Sequence, residues 1–167
     1  MCRERLKVFI FRSVNPDVTA AWTCGEGAEC IEMAAKGAKR VIGIDIRKDL
    51  LQIARQKALE MGVENTCVFA SSSNEQADTV VSLDTFENFA DPADILRIMN
   101  TILKPEGEVL GGLNQMTIAR FERLVASSPF KFAALEPIPI KKLQRIHNHL
   151  TREFTTAIVR CRLVKRT

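Results

Sequence analysis

The chain has 167 residues, 46% of them apolar, and a formal net charge of +4. That length and apolar content describe a folded globule with a real core, near the lower limit for a seven-stranded α/β sheet, and exclude a disordered chain. The five cysteines (Cys2, Cys24, Cys30, Cys67, Cys161) form no Cys-x-x-Cys pair and no Cys/His cluster, so neither a disulfide framework nor a zinc site is indicated, and reduced thiols of a cytoplasmic protein are expected.

The opening Met1 to Lys7 is charged, and the apolar run Val8 to Phe11 is too short for a signal sequence or a membrane span. Residues 1–17 read as an N-terminal extension with one β-like run, Lys7 to Phe11, and a turn at Asn15-Pro16-Asp17. The run is either an edge strand or a lid over a ligand. Val18 to Trp22 then reads as a strand, Thr23 to Gly27 as a glycine turn, and Ala28 to Ala38 as a helix. Ile31, Ala34, Ala35 and Ala38 repeat at helical spacing, and Gly37 marks the helix end. A second strand, Arg40 to Ile46, carries Asp45 near its end.

This order has a chemical reason. A glycine turn lets backbone approach a ligand where a Cβ would collide, and the next helix turns its N–H groups toward the same crevice. A carboxylate at the end of the second strand, about 20 residues on, is placed to accept from a ribose diol. The pattern predicts that Asp45 serves a nucleoside; the alternative is a surface carboxylate at a strand end.

Lys48 to Met61 reads as a helix with Leu50, Leu51, Ala54, Ala58 and Met61 as its apolar stripe, and Gly62 sits where a left-handed cap would end it. Thr66 to Ala70 is a short strand, Ser71 to Gln76 a polar loop, and Thr79 to Leu83 an apolar run expected of a strand buried on both faces. Asp91-Pro92-x-Asp94 opens the next helix, with Ile95, Ile98, Met99 and Ile102 as its stripe. A strand starting at Glu108 is predicted to break at Gly111-Gly112. Thr117 to Val125 is a helix with Ile118, Phe121, Leu124 and Val125 on one side; Phe130 to Ile140 is a strand that bends at Pro137 and Pro139. Lys141 to Leu150 reads as amphipathic, and Thr155 to Val164 as a β-branched strand. The alternation predicts an α/β, doubly wound, mostly parallel sheet with its ligand at the carboxyl ends of the central strands.

Cys24-Gly25-Glu26-Gly27, Val41 to Ile46, Ala77 to Asp84, and Leu103 to Leu110 with its Leu-Lys-Pro-x-Gly turn stand in an order that resembles the class I S-adenosylmethionine-dependent methyltransferases. The resemblance covers Val18 to Leu110 and implies a Rossmann-like fold with an antiparallel last strand, for which Thr155 to Val164 qualifies. It divides the chain into a cofactor-binding half, 18–110, and a substrate-side half, 111–167, within one domain. It further implies that S-adenosyl-L-methionine lies with its methionine part over Thr23, Cys24, Gly25, Glu26 and Gly27, and its ribose on Asp45. Ile46 would meet the adenine face, Ser71 and Ser72 the adenine edge, and Ser82, Leu83 and Asp84 the crevice beside the sulfonium. Methyl transfer is an in-line displacement that needs a base only if the nucleophile must lose a proton; Asp84, Glu87 and His147 are the candidates, each with a surface role as its alternative.

Two positions depart from the family's first motif: Ala21 stands where an acid receives the ammonium of the methionine group, and Thr23 where the first glycine allows close approach. Losing a charged hydrogen bond costs about 1.5–3 kcal/mol, so weak cofactor binding is expected. No insert follows the fifth strand, so a cap over the acceptor looks minimal. The two other readings are a methyltransferase-like module that no longer catalyses and serves binding or dimerisation, and an NAD-type protein, disfavoured because the third glycine and a hydride-site His/Lys pair are missing.

The segment from Lys141 to Thr167 holds eight Lys/Arg and one acid. Lys141, Lys142, Arg145 and Arg152, with His147 and His149, would suit an anionic small-molecule acceptor, against a default reading of a solvated helix face with surface histidines. A nucleic-acid partner is not favoured, because Phe154 is the only aromatic nearby and no stacking platform exists. A short, uncapped sheet would hide apolar surface in a homodimer.

Overall fold

The computed structural model describes residues 17–83, 89–113 and 116–166. Seven strands form one sheet: β1 (Thr19–Trp22), β2 (Val41–Ile44), β3 (Cys67–Ala70), β4 (Ala77–Leu83), β5 (Leu103–Leu113), β6 (Phe130–Pro139) and β7 (Thr156–Lys165). Their order is β3-β2-β1-β4-β5-β7-β6. The first five run parallel, and β7 is antiparallel to both β5 and β6. The sheet is therefore α/β, mostly parallel and doubly wound, as expected. A last strand inserted antiparallel beside β5 departs from the 3-2-1-4-5-6 order of dinucleotide-binding folds.

Helices α1 (Ala28–Ala35), α2 (Lys48–Glu60), α3 (Pro92–Ile102) and α4 (Ile118–Ala126) cover the sheet, and a one-turn helix α5 (Arg152–Thr155) precedes β7. The period-two geometry of a strand sends neighbouring side chains to opposite faces. Thus Ala20, Val80 and Val109 join one core with α3 and α4, while Ala21, Val81 and Leu110 join a second core with α1 and α2. Because both faces are covered, the central strands need unbroken apolar runs rather than alternation.

Helix ends follow their local chemistry. Asp91 accepts from the N–H groups of Ala93 and Asp94 at 2.9 and 3.1 Å, with Pro92 at the first helical position of α3. Gly37 and Gly62 take positive φ of 95° and 68° after α1 and α2. At the amino end of β4, Asp78 accepts from Val18 N–H at 2.8 Å and from Lys104 at 2.7 Å, which ties the start of β1 to β5. No helix among the described residues is long and apolar enough to cross a membrane.

Several details correct the expectations. The stripe of α3 buries Leu96 rather than Ile98, which is exposed, and Met61 lies on the surface beyond the end of α2. The strand beginning at Glu108 does not break at Gly111-Gly112: both glycines pair with Ser82 and Leu83 on one side and with Cys161 and Arg160 on the other. A glycine in a strand loses side-chain contacts but keeps its N–H and C=O, and here two neighbours supply the ladder. The 110/111 division consequently falls inside β5. The Lys104 to Gly107 turn is a bulge in that strand, since Ala77 pairs with Leu103 and Thr79 with Glu108. The segment after β6 forms a 3-10 helix, Lys141–Ile146, with no buried residue; Leu143 is half-buried and Ile146 is exposed. The run Lys7 to Phe11 lies outside the described residues.

Candidate functional site

The carboxyl ends of β1 and β4 open on a cavity of about 380 Å³ lined by Ala21, Trp22, Thr23, Cys24, Gly25, Glu26, Ala28, Glu29, Val81 and Leu83. Its size falls within the range of about 300–1,000 Å³ usual for small-ligand sites. The turn from Thr23 to Gly27 forms one wall, and its backbone path is unusual. Thr23, Gly25 and Gly27 all adopt positive φ, at 57°, 53° and 78°. Backbone bonds from Cys24 N–H to Ile44 O at 3.0 Å and from Gly27 N–H to Cys24 O at 2.9 Å hold this path.

The left-handed region costs an ordinary residue about 1–2 kcal/mol, and a β-branched one crowds itself further. Thr23 is therefore strained, at the position where the resemblance places a glycine. Thr23→Gly is expected to stabilise the fold by about 0.5–1 kcal/mol after the added freedom of the unfolded chain is subtracted. Thermal unfolding checks this: a rise of a few degrees is the expected result, and a fall in melting temperature would show that the Thr23 hydroxyl bond to Trp22 O outweighs the backbone strain.

Asp45 follows β2 directly and is buried, at 4% exposure. One carboxylate oxygen accepts from Gly25 N–H at 2.9 Å; the other accepts from Arg47 N–H at 3.0 Å and from Arg47 Nε at 3.4 Å. Burial alone would push this carboxyl up, but the Arg47 and Gly25 amides and the guanidinium outweigh it and hold the group below the usual carboxylate range. The side chain is thus an anion at neutral pH. Asp45 does not itself line the cavity; it sits one hydrogen bond behind Gly25, and Arg47, which is 60% exposed, lies beside both. Among the described residues, one long, part-buried bond holds that guanidinium there.

The expected site residues divide into three groups. Thr23, Cys24, Gly25, Glu26 and Leu83 share the cavity, with Asp45 bonded behind them. Gly27 and Ser82 are buried below it; a Cβ on Gly27 would come within 2.8 Å of Ala54 Cβ and of the Phe69 ring. Ile46 (87% exposed), Ser71 and Ser72 are on the surface beyond the ends of β2 and β3 and do not line the cavity. Asp84 and Glu87 lie outside the described residues. Glu26 is ion-paired with Lys57 of α2. His147 is half-buried with Nδ1 2.6 Å from Thr155 Oγ1, and His149 is exposed.

Four cavity contributors, Trp22, Ala28, Glu29 and Val81, were not singled out from sequence. Trp22 and Val81 were read only as strand residues, although the last inward residues of parallel strands meet the ligand edge. Glu29, in the first turn of α1, carries no motif. Arg47 is a lone cation two residues past Asp45, and nothing in its spacing announces the contact.

The basic segment between β6 and β7 lies at this same edge, because β7 begins beside the carboxyl end of β5, with Leu113 opposite Val159. Two contacts anchor it. The Glu153 carboxylate accepts from the N–H groups of Ile118 and Ala119, both at 2.8 Å, and Arg152 forms a two-pronged pair with Glu122 at 2.9 and 3.0 Å. Arg152 is therefore held by α4, whereas Lys141, Lys142 and Arg145 are exposed. Among the described residues no group of His, Cys, Asp and Glu could hold a metal ion.

The family model described as methyltransferase domain matches residues 22–111. Among curated proteins, the chain is 39% identical over 92 residues to the ubiquinone biosynthesis O-methyltransferase of Aeromonas salmonicida, and 37% identical over 92 residues to that of Stutzerimonas stutzeri. These matches cover 52% of the chain, and 38% and 39% of the two relatives, so the chain matches well under half the length of either. Among solved structures, the cyclase SpnF superposes with a TM-score of 0.79 at 12% identity, covering 98% of this chain and 82% of that one. The O-methyltransferase of a trans-AT PKS multienzyme of Brevibacillus brevis, solved with S-adenosyl-L-homocysteine, gives 0.74 at 12%, covering 97% and 71%. At such identities the superpositions speak to fold alone. With the strand order, the glycine turn and the family match in agreement, the chain belongs to the methyltransferase domain family, that of the class I S-adenosylmethionine-dependent methyltransferases.

Proposed function

We propose that the protein is an S-adenosyl-L-methionine-dependent methyltransferase acting on an oxygen nucleophile of a small molecule. The observation that carries this is the cavity walled by the Thr23 to Gly27 turn with an ionised, buried Asp45 bonded behind Gly25. The oxygen nucleophile is suggested by the relatives, which are named O-methyltransferases.

The residues fit the cofactor in most respects. An ionised carboxylate has about four acceptor positions, and three on Asp45 are taken by Gly25 and Arg47. One remains for a ribose hydroxyl, and a second opens if Arg47 gives up its 3.4 Å bond. Gly25 presents bare backbone: the nearest atom to a Cβ there would be an Arg47 nitrogen at 3.9 Å, so the space in front of it is free. Ala21 is one misfit, since it supplies no anion for an ammonium; Asp45 is a second, since it is buried outside the cavity lining and would have to be uncovered to reach a ribose.

When bound, S-adenosyl-L-methionine supplies an electrophilic methyl group. The chain's own contribution is to hold and shield: Thr23, Cys24, Gly25 and Glu26 wall the tail, Asp45 takes the ribose, and Trp22, Val81 and Leu83 form an apolar wall that keeps water from the reacting centre. Gly27 and Ser82 act from below by setting the path of the turn and of β4. Ile46, Ser71 and Ser72 would meet an adenine only at the rim. Deprotonation of the acceptor falls to Asp84 or Glu87 or to His147, which already shares a hydrogen bond with Thr155.

S-adenosyl-L-homocysteine at a concentration near 100 times its dissociation constant would stabilise the fold by about 2.7 kcal/mol. The expected result is a rise in melting temperature of several degrees, present for S-adenosyl-L-homocysteine and absent for NAD. No rise at millimolar ligand would remove the enzymatic reading and leave a methyltransferase-like binding module.

A further inference from the structure

We propose that Glu29 receives the ammonium of the cofactor's methionine moiety, replacing the acid that position 21 lacks. The inference rests on the cofactor reading above and names a residue for the one charge which that reading leaves without a partner. Ala21 and Glu29 line the same cavity. Among the described residues lining it, the ionisable side chains other than Cys24 are Glu26 and Glu29, both acids. Glu26 is drawn to Lys57 on α2. Glu29 is half-buried, and among the described residues it accepts no hydrogen bond and forms no ion pair.

A half-buried carboxylate without a protein partner relies on water in the cavity for its solvation, at a cost that a cation meeting it would remove. Its place in the first turn of α1 moderates that cost, because the helix amides there favour negative charge. Among the described residues no cationic side chain lines the cavity. The complementary ligand group is therefore a cation presented by a molecule whose remainder lies along the glycine turn, and the ammonium of an amino-acid tail meets that description. A glutamate also extends one carbon further than an aspartate, which suits an acceptor placed on the helix beside the strand rather than on the strand itself.

Titration calorimetry with two ligands tests this: S-adenosyl-L-homocysteine, and 5′-methylthioadenosine, which keeps the nucleoside and thioether but has no amino-acid tail. Wild type is expected to bind the first at least tenfold more tightly. Glu29→Gln should weaken S-adenosyl-L-homocysteine about ten- to hundredfold, the size of a lost charged hydrogen bond, and leave 5′-methylthioadenosine unchanged. Glu29→Asp should recover part of the loss, and Glu64→Gln, at an exposed acid outside the cavity lining, should change neither ligand. If Glu29→Gln binds S-adenosyl-L-homocysteine as well as wild type or better, the role of Glu29 is overturned while the cofactor reading stands. If it weakens both ligands in parallel, Glu29 is structural and the inference is also overturned. If wild type binds neither ligand, the cofactor reading itself falls.

Discussion

Gly27→Ala is expected to destabilise the fold by about 2–5 kcal/mol, enough to unfold much of the population near physiological temperature. Two independent costs combine. At φ of 78° an alanine pays about 1–2 kcal/mol for the left-handed region. Its Cβ would also stand 2.8 Å from Ala54 Cβ and from the Phe69 ring, contacts that force the core between α2 and β3 to shift, typically at about 1–3 kcal/mol. Urea denaturation at neutral pH measures the total. Phe69→Leu in the same chain should return part of the packing cost and none of the backbone cost, so the double variant separates the two. A Gly27→Ala protein as stable as wild type would mean that the turn takes a different path.

The second large effect concerns Asp45. Asp45→Asn keeps the shape but places an amide where two backbone N–H groups and a guanidinium converge, so one donor faces another. The expected loss is about 1.5–3 kcal/mol of stability at neutral pH, together with the S-adenosyl-L-homocysteine-induced rise in melting temperature. The pH dependence has a definite sign. Because the folded state holds the Asp45 carboxyl below its ordinary value, the stabilisation is fully present above the unfolded value of about 3.9 and is lost as pH falls through the lower folded value. The stability gap between wild type and Asp45→Asn should therefore narrow in acid. A gap that stays constant from neutral pH into strong acid would show that packing, and not the charge, is what Asp45 contributes.

Much of the half from Val18 to Leu110 was legible because its signals repeat. The strand, glycine turn, helix and second strand from Val18 to Ile46 each carry several residues of one periodicity, and the positive φ values at Gly25, Gly27, Gly37 and Gly62 occur where glycine chemistry permits them. Asp91-Pro92 announced α3 for the same reason. Errors arose where one residue had to decide. Ile98 and Leu96 are equally apolar, and only the angle at which α3 crosses the sheet selects the second. Gly111-Gly112 looked like a break because propensity weighs against glycine, yet pairing on both sides outweighs propensity in a central strand. In the site, Asp45 and the turn were readable from spacing. The placement of Glu29 and Arg47 was not, since a cavity wall and a side-chain direction exist only after folding. Ile46, Ser71 and Ser72 were assigned by resemblance, and they sit at the surface instead of in the cavity.

The prolines near the end of β6 affect how copies of this chain can meet. β6 is an outermost strand, and Pro137 and Pro139 are two of its ten residues. Each lacks the N–H that an incoming strand would need, and register shifts flank this part of its pairing with β7. At the opposite border β3 offers only four residues. Both rims are thus poor templates for sheet extension, a common defence against fibril-like stacking. Among the described residues, the apolar side chains left open to a second copy include Ile146, Leu150 and Phe154, in the segment between β6 and β7.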